Sequence, residues 1–180
     1  NNINPIWFPM TGTTITRARN VIASKFYNDD NLDKLVFIDS DIIWNPGDLF
    51  KLINNSYEFI AATYRKKSPE YALASYVKDD VKPNEDGFYP ANYVPFGFVK
   101  IEKSALNKLS SKLSLKTFPD PALPKETWQN SFVFFNSDFE ENKGFISEGV
   151  WFCRNWREIG ETCWLDMGIN LGHIGDYVYE

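Results

Sequence analysis

A short apolar run that ends abruptly in acid constrains this chain more than any other stretch. Leu35-Val-Phe-Ile38 shows no polar alternation and is followed at once by Asp39-Ser-Asp41. Such a run fits a strand buried on both faces, as in the parallel sheet of an α/β domain. Open α/β sheets bind their ligands at the carboxyl ends of their strands. Pro46 suits the first turn of a helix, and Leu49, Phe50, Leu52 and Ile53 give that helix an apolar face. The two acids therefore fall in a strand-to-helix loop at the sheet's edge. Carboxylates are hard ligands suited to Mg²⁺ or Mn²⁺, which keep one or two protein carboxylates and take substrate phosphates for the rest. An Asp-x-Asp tripeptide is common in solvated turns; the buried strand before it and the Pro-started helix after it single this one out.

The rest of the chain reads as further α/β units. Pro5-Ile-Trp-Phe-Pro9 is expected to be a short early strand, and residues 16–27 a helix with Ala18, Val21, Ile22 and Phe26 inward. Arg17 and Arg19 lie in that helix's first turn, where the dipole disfavours cations, so a nearby anion must compensate: a protein carboxylate or a ligand phosphate. Asn20 is read as positioning the adjoining loop. Residues 58–63 form a second parallel strand, ending in the basic run Arg65-Lys66-Lys67. Residues 68–95 form a long loop with short strands, a candidate lid. Tyr93–Ile101 reads as a strand interrupted by Gly97, which implies close approach of another backbone or a ligand. Residues 104–113 are an amphipathic helix, and 131–135 a strand within a proline-rich stretch where Trp128 is a candidate acceptor-pocket residue. Ser147 N-caps a helix ending at Gly160, which puts Glu148 in its favourable first turn.

Four stretches, in order and at matching spacing, resemble the GT-A glycosyltransferases. Val36-Phe-Ile-Asp-Ser-Asp41 resembles their DxD element. Ile15-Thr-Arg-Ala-Arg-Asn20, Ala61-Ala-Thr-Tyr-Arg-Lys-Lys67 and the tail from Ile146-Ser-Glu148 to Leu171-Gly-His-Ile-Gly175 are similar to the small enzymes of bacteria, phages and large DNA viruses of algae. The resemblance covers almost the whole chain. It implies a GT-A (Rossmann-like) fold: a mixed, mainly parallel central sheet flanked by helices in a single domain, residues 1–180. It also implies a UDP-sugar or related donor and a carbohydrate acceptor. Mn²⁺ or Mg²⁺ would be held by Asp41 and His173, with Asp39 on the metal or the ribose. Arg17, Arg19, Asp39, Ser40, Arg65, Lys66 and Gly97 would surround the nucleotide-sugar, and Asp166 would sit behind the metal or at the acceptor.

Inverting transfer needs a carboxylate to accept the acceptor hydroxyl's proton. The family supplies it from a Glu-Asp pair, but this chain reads Glu148-Gly149. Either Glu148 is the base, or Asp138 or Glu140 takes the role, or configuration is retained and no such base is needed. Because no complete first strand and helix precede Thr11, the chain as given is expected to start inside the domain, without a strand of the base-binding half, and further domains of the same polypeptide are left open.

Whole-chain properties bound the alternatives. A length of 180 residues supports one domain with a substantial core, and the net charge of −5 disfavours a general nucleic-acid binder. No apolar run has the length of a membrane span. The two cysteines, Cys153 and Cys163, form no disulfide framework, which fits a cytoplasmic protein, in the host cytoplasm if viral. Two rival readings are a sugar-1-phosphate nucleotidyltransferase, which lacks its Gly-rich phosphate loop here, and a non-enzymatic carbohydrate-binding module with structural Ca²⁺.

Overall fold

The computed structural model describes residues 3–77, 80–141 and 144–180. In chain order the first elements are α1 (Ile15–Asn28), β1 (Lys34–Ile38), β2 (Ile42–Ile43), α2 (Pro46–Asn54), β3 (Phe59–Ala62), β4 (Tyr89–Ala91) and β5 (Phe98–Glu102). They are followed by α3 (Lys103–Lys112), β6 (Asp138–Glu140), β7 (Gly144–Ile146), α4 (Glu148–Glu158), β8 (Cys163–Asp166), β9 (Gly172–Ile174) and β10 (Val178–Tyr179). The central sheet has five strands in the order β1-β5-β3-β8-β4.

This α/β sheet is mixed and mostly antiparallel, which corrects the expectation of a mainly parallel one. Only β3 and β8 are parallel neighbours; β1–β5, β3–β5 and β4–β8 pair antiparallel. The cause is β5, which inserts between β1 and β3 and runs against both. What removes polar alternation from these strands is cover on both faces, not parallel pairing: β3 is buried at all four of its positions. On one face Phe59, Ala61, Val99 and Ile101 pack with α1, α3 and α4 through Phe26, Leu106, Phe152 and Trp156. On the other, Ile60, Ala62 and Phe98 meet Leu52 of α2 together with Ile42, Ile169 and Leu171. Side chains alternate along each strand, so every strand feeds both layers.

One consequence of the expected topology survives. β1 and β3 both oppose β5, and β8 runs with β3, so the carboxyl ends of these three strands share one edge of the sheet. A second, three-stranded sheet, β10-β9-β2, stands at that edge and pairs Ile42 with His173.

Two expected strands do not form. Residues 5–9 are irregular, with Ile6 and Trp7 68% and 70% exposed; two prolines in five residues leave too few donors for a ladder. Residues 131–135 are also irregular apart from a single bridge between Thr117 and Phe132. Here the buried Asn20 substitutes for a neighbouring strand. Its Nδ2 donates to the Phe135 carbonyl at 2.6 Å and its Oδ1 accepts from the Phe135 N–H at 2.9 Å. The helices match expectation closely: Ser147 caps α4 by position, and Gly160 ends it at φ +89°. Replacing Asn20 with Ala strands a buried donor and acceptor, and should cost about 2–4 kcal/mol in urea unfolding without changing the urea dependence.

Candidate functional site

At the shared edge, a guanidinium joins two elements distant in sequence. Arg19 of α1 is 4% exposed. Its Nη1 lies 2.5 Å from Glu148 Oε1 at the start of α4, and its Nη2 lies 3.1 Å from Asp39 Oδ1 at the end of β1. The rings of Phe37 and Phe96 flank it at 5.6 and 5.2 Å. Burial pushes the Asp39 carboxyl above its ordinary range, and the charge and hydrogen bond of Arg19 only partly oppose this. Arg19, Asp39 and Glu148 line a cleft of about 250 Å³ with Tyr64, Phe96 and Gly149.

Beside the cleft, Asp41 and His173 come together because β2 and β9 pair. The Ile174 N–H donates to the Asp41 carbonyl at 2.8 Å, and His173 Nε2 stands 3.5 Å from Asp41 Oδ2. The other ring nitrogen, Nδ1, lies 2.8 Å from the Arg65 carbonyl oxygen. A carbonyl only accepts, so Nδ1 carries the proton and donates, and Nε2 is aimed at the carboxylate. Lys67 Nζ is 2.5 Å from the same Asp41 oxygen. Burial acts to raise the Asp41 carboxyl, but the hydrogen bond and charge of Lys67 outweigh it and hold it below the usual range. Among the described residues, no three of His, Cys, Asp and Glu converge as a closed metal cage.

The remaining expected residues divide. Arg17 pairs with a protein anion: Nε and Nη2 each lie 2.8 Å from Asp120 carboxylate oxygens, the protein-carboxylate alternative for the cation in the first turn of α1. Trp128 holds the Asp120 loop, donating its indole N–H to the Asp120 and Leu123 carbonyls at 3.2 and 3.3 Å. Ser40 is exposed in the turn after Asp39, and Lys66 is exposed in the following loop. Arg65 lies over the rings of Tyr71 and Tyr179 and contributes its carbonyl to His173. Asp138 is exposed on the β6–β7 hairpin, its carboxylate accepting from the Phe139 N–H at 2.8 Å, and is not among the residues lining the cleft. Glu140 pairs with Arg154. Asp166 closes a tight turn onto the Gly168 N–H at 2.8 Å.

Both informative glycines are explained by a side chain. A Cβ on Gly97 would come within 2.4 Å of the Tyr64 hydroxyl, which accepts the Gly97 N–H at 3.2 Å. Burial, then the charge of Asp39, push the Tyr64 hydroxyl up to about 12, so it stays protonated at the floor of the cleft. At Gly149 a Cβ would meet Phe96 Cδ2 at 2.8 Å. The position where the resembled family carries an aspartate is thus filled by a ring. Sequence reasoning passed over Tyr64, Phe96 and Lys67. For Lys67 a signal existed: in an extended stretch residues 65 and 67 share a side and 66 opposes them.

No family model matches the chain, and no curated protein does. Among solved structures, A197 from STIV superposes with a TM-score of 0.53 at 17% identity, covering 92% of this chain and 70% of that one. At that identity the likeness shows the fold alone.

Two outcomes follow. Gly149→Asp forces a side chain against Phe96 and should destabilise the protein by about 1–3 kcal/mol in thermal or urea unfolding, whereas the same substitution made in a Phe96→Ala background should cost less than it does in wild type. For Asp120, burial is outweighed by Arg17 and by the Ala122 N–H, so the folded carboxyl titrates below its ordinary value. Its stabilising effect is therefore complete above the unfolded aspartate pKa of about 3.9 and is lost as pH falls through the lower folded value. The stability gap between wild type and Asp120→Asn, followed by urea unfolding from pH 7 to pH 2, should be widest at neutral pH and close in acid.

Proposed function

We propose that the chain is the catalytic domain of a metal-dependent GT-A glycosyltransferase that moves a sugar from a nucleotide-diphosphate donor, a UDP-sugar, to a hydroxyl of a carbohydrate acceptor. The observation that carries this reading is the Asp41–His173 pair. A carboxylate from the loop after β1 and an imidazole from β9 face each other, and the imidazole's tautomer is fixed from behind by the Arg65 carbonyl. That is the arrangement of metal-ligating histidines. Two protein donors without a closed cage suit a cation that takes its other ligands from water and phosphate oxygens. A nitrogen donor favours Mn²⁺ over the all-oxygen coordination of Ca²⁺, which weighs against a sugar-binding module with structural calcium. Bound there, a divalent cation supplies positive charge against the departing nucleoside diphosphate.

The chain's own groups have separate tasks in this reading. Asp41 and His173 Nε2 hold the cation, and Lys67 adds a mobile positive charge beside them. Asp39, fixed by Arg19, faces the cleft where the donor's sugar or ribose would lie. Glu148 lines the same cleft and is the candidate to accept the acceptor hydroxyl's proton as that oxygen attacks the anomeric carbon. Arg19 keeps the Glu148 carboxylate in place, and Gly149 leaves Phe96 as the wall beside it.

No helix among the described residues is long and apolar enough to cross a membrane. Cys153 and Cys163 are buried free thiols, which supports a reducing, cytoplasmic setting.

Calorimetric titration of UDP with and without Mn²⁺ tests the reading. Wild type should bind UDP in a Mn²⁺-dependent manner, and His173→Ala should weaken that binding by about tenfold or more. UDP binding indifferent to Mn²⁺, or none, would contradict it. Glu148→Gln should leave UDP-sugar affinity near wild type while lowering the transfer rate by about 10²–10⁴.

A further inference from the structure

We infer that Lys67 is a built-in counter-cation of this site, one that occupies Asp41 while no divalent cation is bound and passes to the diphosphate when one arrives. The inference rests on the reading of Asp41 and His173 as the cation position. Three observations lead to it. First, the Lys67 ammonium lies 2.5 Å from Asp41 Oδ2, the same oxygen that faces His173 Nε2 at 3.5 Å. A divalent cation bound at that oxygen at about 2.0–2.1 Å would meet a like charge already in contact with it. The ammonium has only donors to offer, so it cannot join the coordination shell and has to leave.

Second, the lysine reaches this position along a prepared path. Its stem runs past Gly175, where a Cβ would lie 3.2 Å from Lys67 Cδ and 3.5 Å from Cγ. The nearest atom to that Cβ would be Tyr179 Cε2 at 3.0 Å, so the second glycine of Leu171-Gly-His-Ile-Gly175 leaves room for the Tyr179 ring and the lysine stem together. Third, among the described residues Lys67 has no ion-pair partner besides Asp41, and its side chain is 38% exposed, so a released ammonium is free to turn on its flexible stem. Arg19, by contrast, is buried and engaged by two acids, and Arg17 is engaged by Asp120.

The consequence is coupled binding. Cation alone must displace Lys67 and leave an ammonium stranded beside it, so it binds weakly. Cation together with a diphosphate binds well, because the displaced ammonium gains an anionic partner. Each ligand then strengthens the other, as linkage requires.

The test compares wild type with Lys67→Met, Lys67→Arg and, as a control for charge loss, Lys112→Met at the exposed end of α3. Mn²⁺ alone is titrated by calorimetry and by the electron paramagnetic resonance of the free ion; UDP is then titrated at saturating Mn²⁺. Lys67→Met should bind Mn²⁺ alone about tenfold more tightly than wild type and UDP with Mn²⁺ about tenfold more weakly. Lys67→Arg should stay near wild type on the first measure, and Lys112→Met on both. Mn²⁺ bound by wild type and equally or less tightly by Lys67→Met would overturn the counter-cation role and leave the metal site standing. Tighter Mn²⁺ binding with unchanged UDP affinity would overturn the transfer to the diphosphate. A wild type that binds no Mn²⁺ would overturn this inference together with the functional reading beneath it.

Discussion

The sharing of Arg19 between Asp39 and Glu148 is the interaction on which the rest of this edge depends. Asp39 follows β1, Glu148 begins α4, and Arg19 lies on α1, so one buried guanidinium ties together three elements that, among the described residues, meet nowhere else through charge. Two carboxylates facing one cleft repel, and burial raises that cost; the cation between them is what allows both to remain. The rings of Phe37 and Phe96 pack against the guanidinium and restrict its geometry. Gly149 follows from this arrangement, since Phe96 can flank Arg19 only where the neighbouring helix carries no side chain.

A second constraint is the pairing of β2 with β9. The register Ile42↔His173 sets the histidine beside the acid that precedes β2, and the Ile174 N–H fixes the Asp41 backbone directly. The two halves of the site are therefore built differently. The cleft with Glu148 rests on a buried ion pair, whereas the Asp41–His173 side rests on a short ladder, two half-buried side chains and an exposed lysine. A rigid wall beside an adjustable cationic corner suits a ligand with a fixed sugar and a charged, departing tail.

Much of this was legible in the chain. The unalternated run before Asp39, the Pro46 start of α2 and the Ser147–Gly160 frame of α4 each specified an element through local chemistry. Asp39, Asp41 and Glu148 were identified from their position at the ends of elements and His173 from the resemblance, and the structure brings them to one edge. The direction of the strands was not legible, because a doubly covered antiparallel strand and a parallel one present the same apolar run; only the insertion of β5 between β1 and β3 decides it. Residues 131–135 looked like a strand for a related reason. Phe134 and Phe135 are buried, but Asn20 satisfies the Phe135 backbone that a ladder would otherwise have paired. Arg17 and Lys67 depended on partners, Asp120 and Asp41, that sequence separation hides.

The central claim is a cation position between Asp41 and His173 completed by a nucleotide's diphosphate. The most direct measurement is diffraction from crystals grown with Mn²⁺ and UDP, recorded on both sides of the manganese absorption edge. The account predicts an anomalous peak within bonding distance of Asp41 Oδ2 and His173 Nε2, with diphosphate oxygens completing its shell and the uridine on the cleft side. A peak elsewhere, or UDP seated without one, would contradict it.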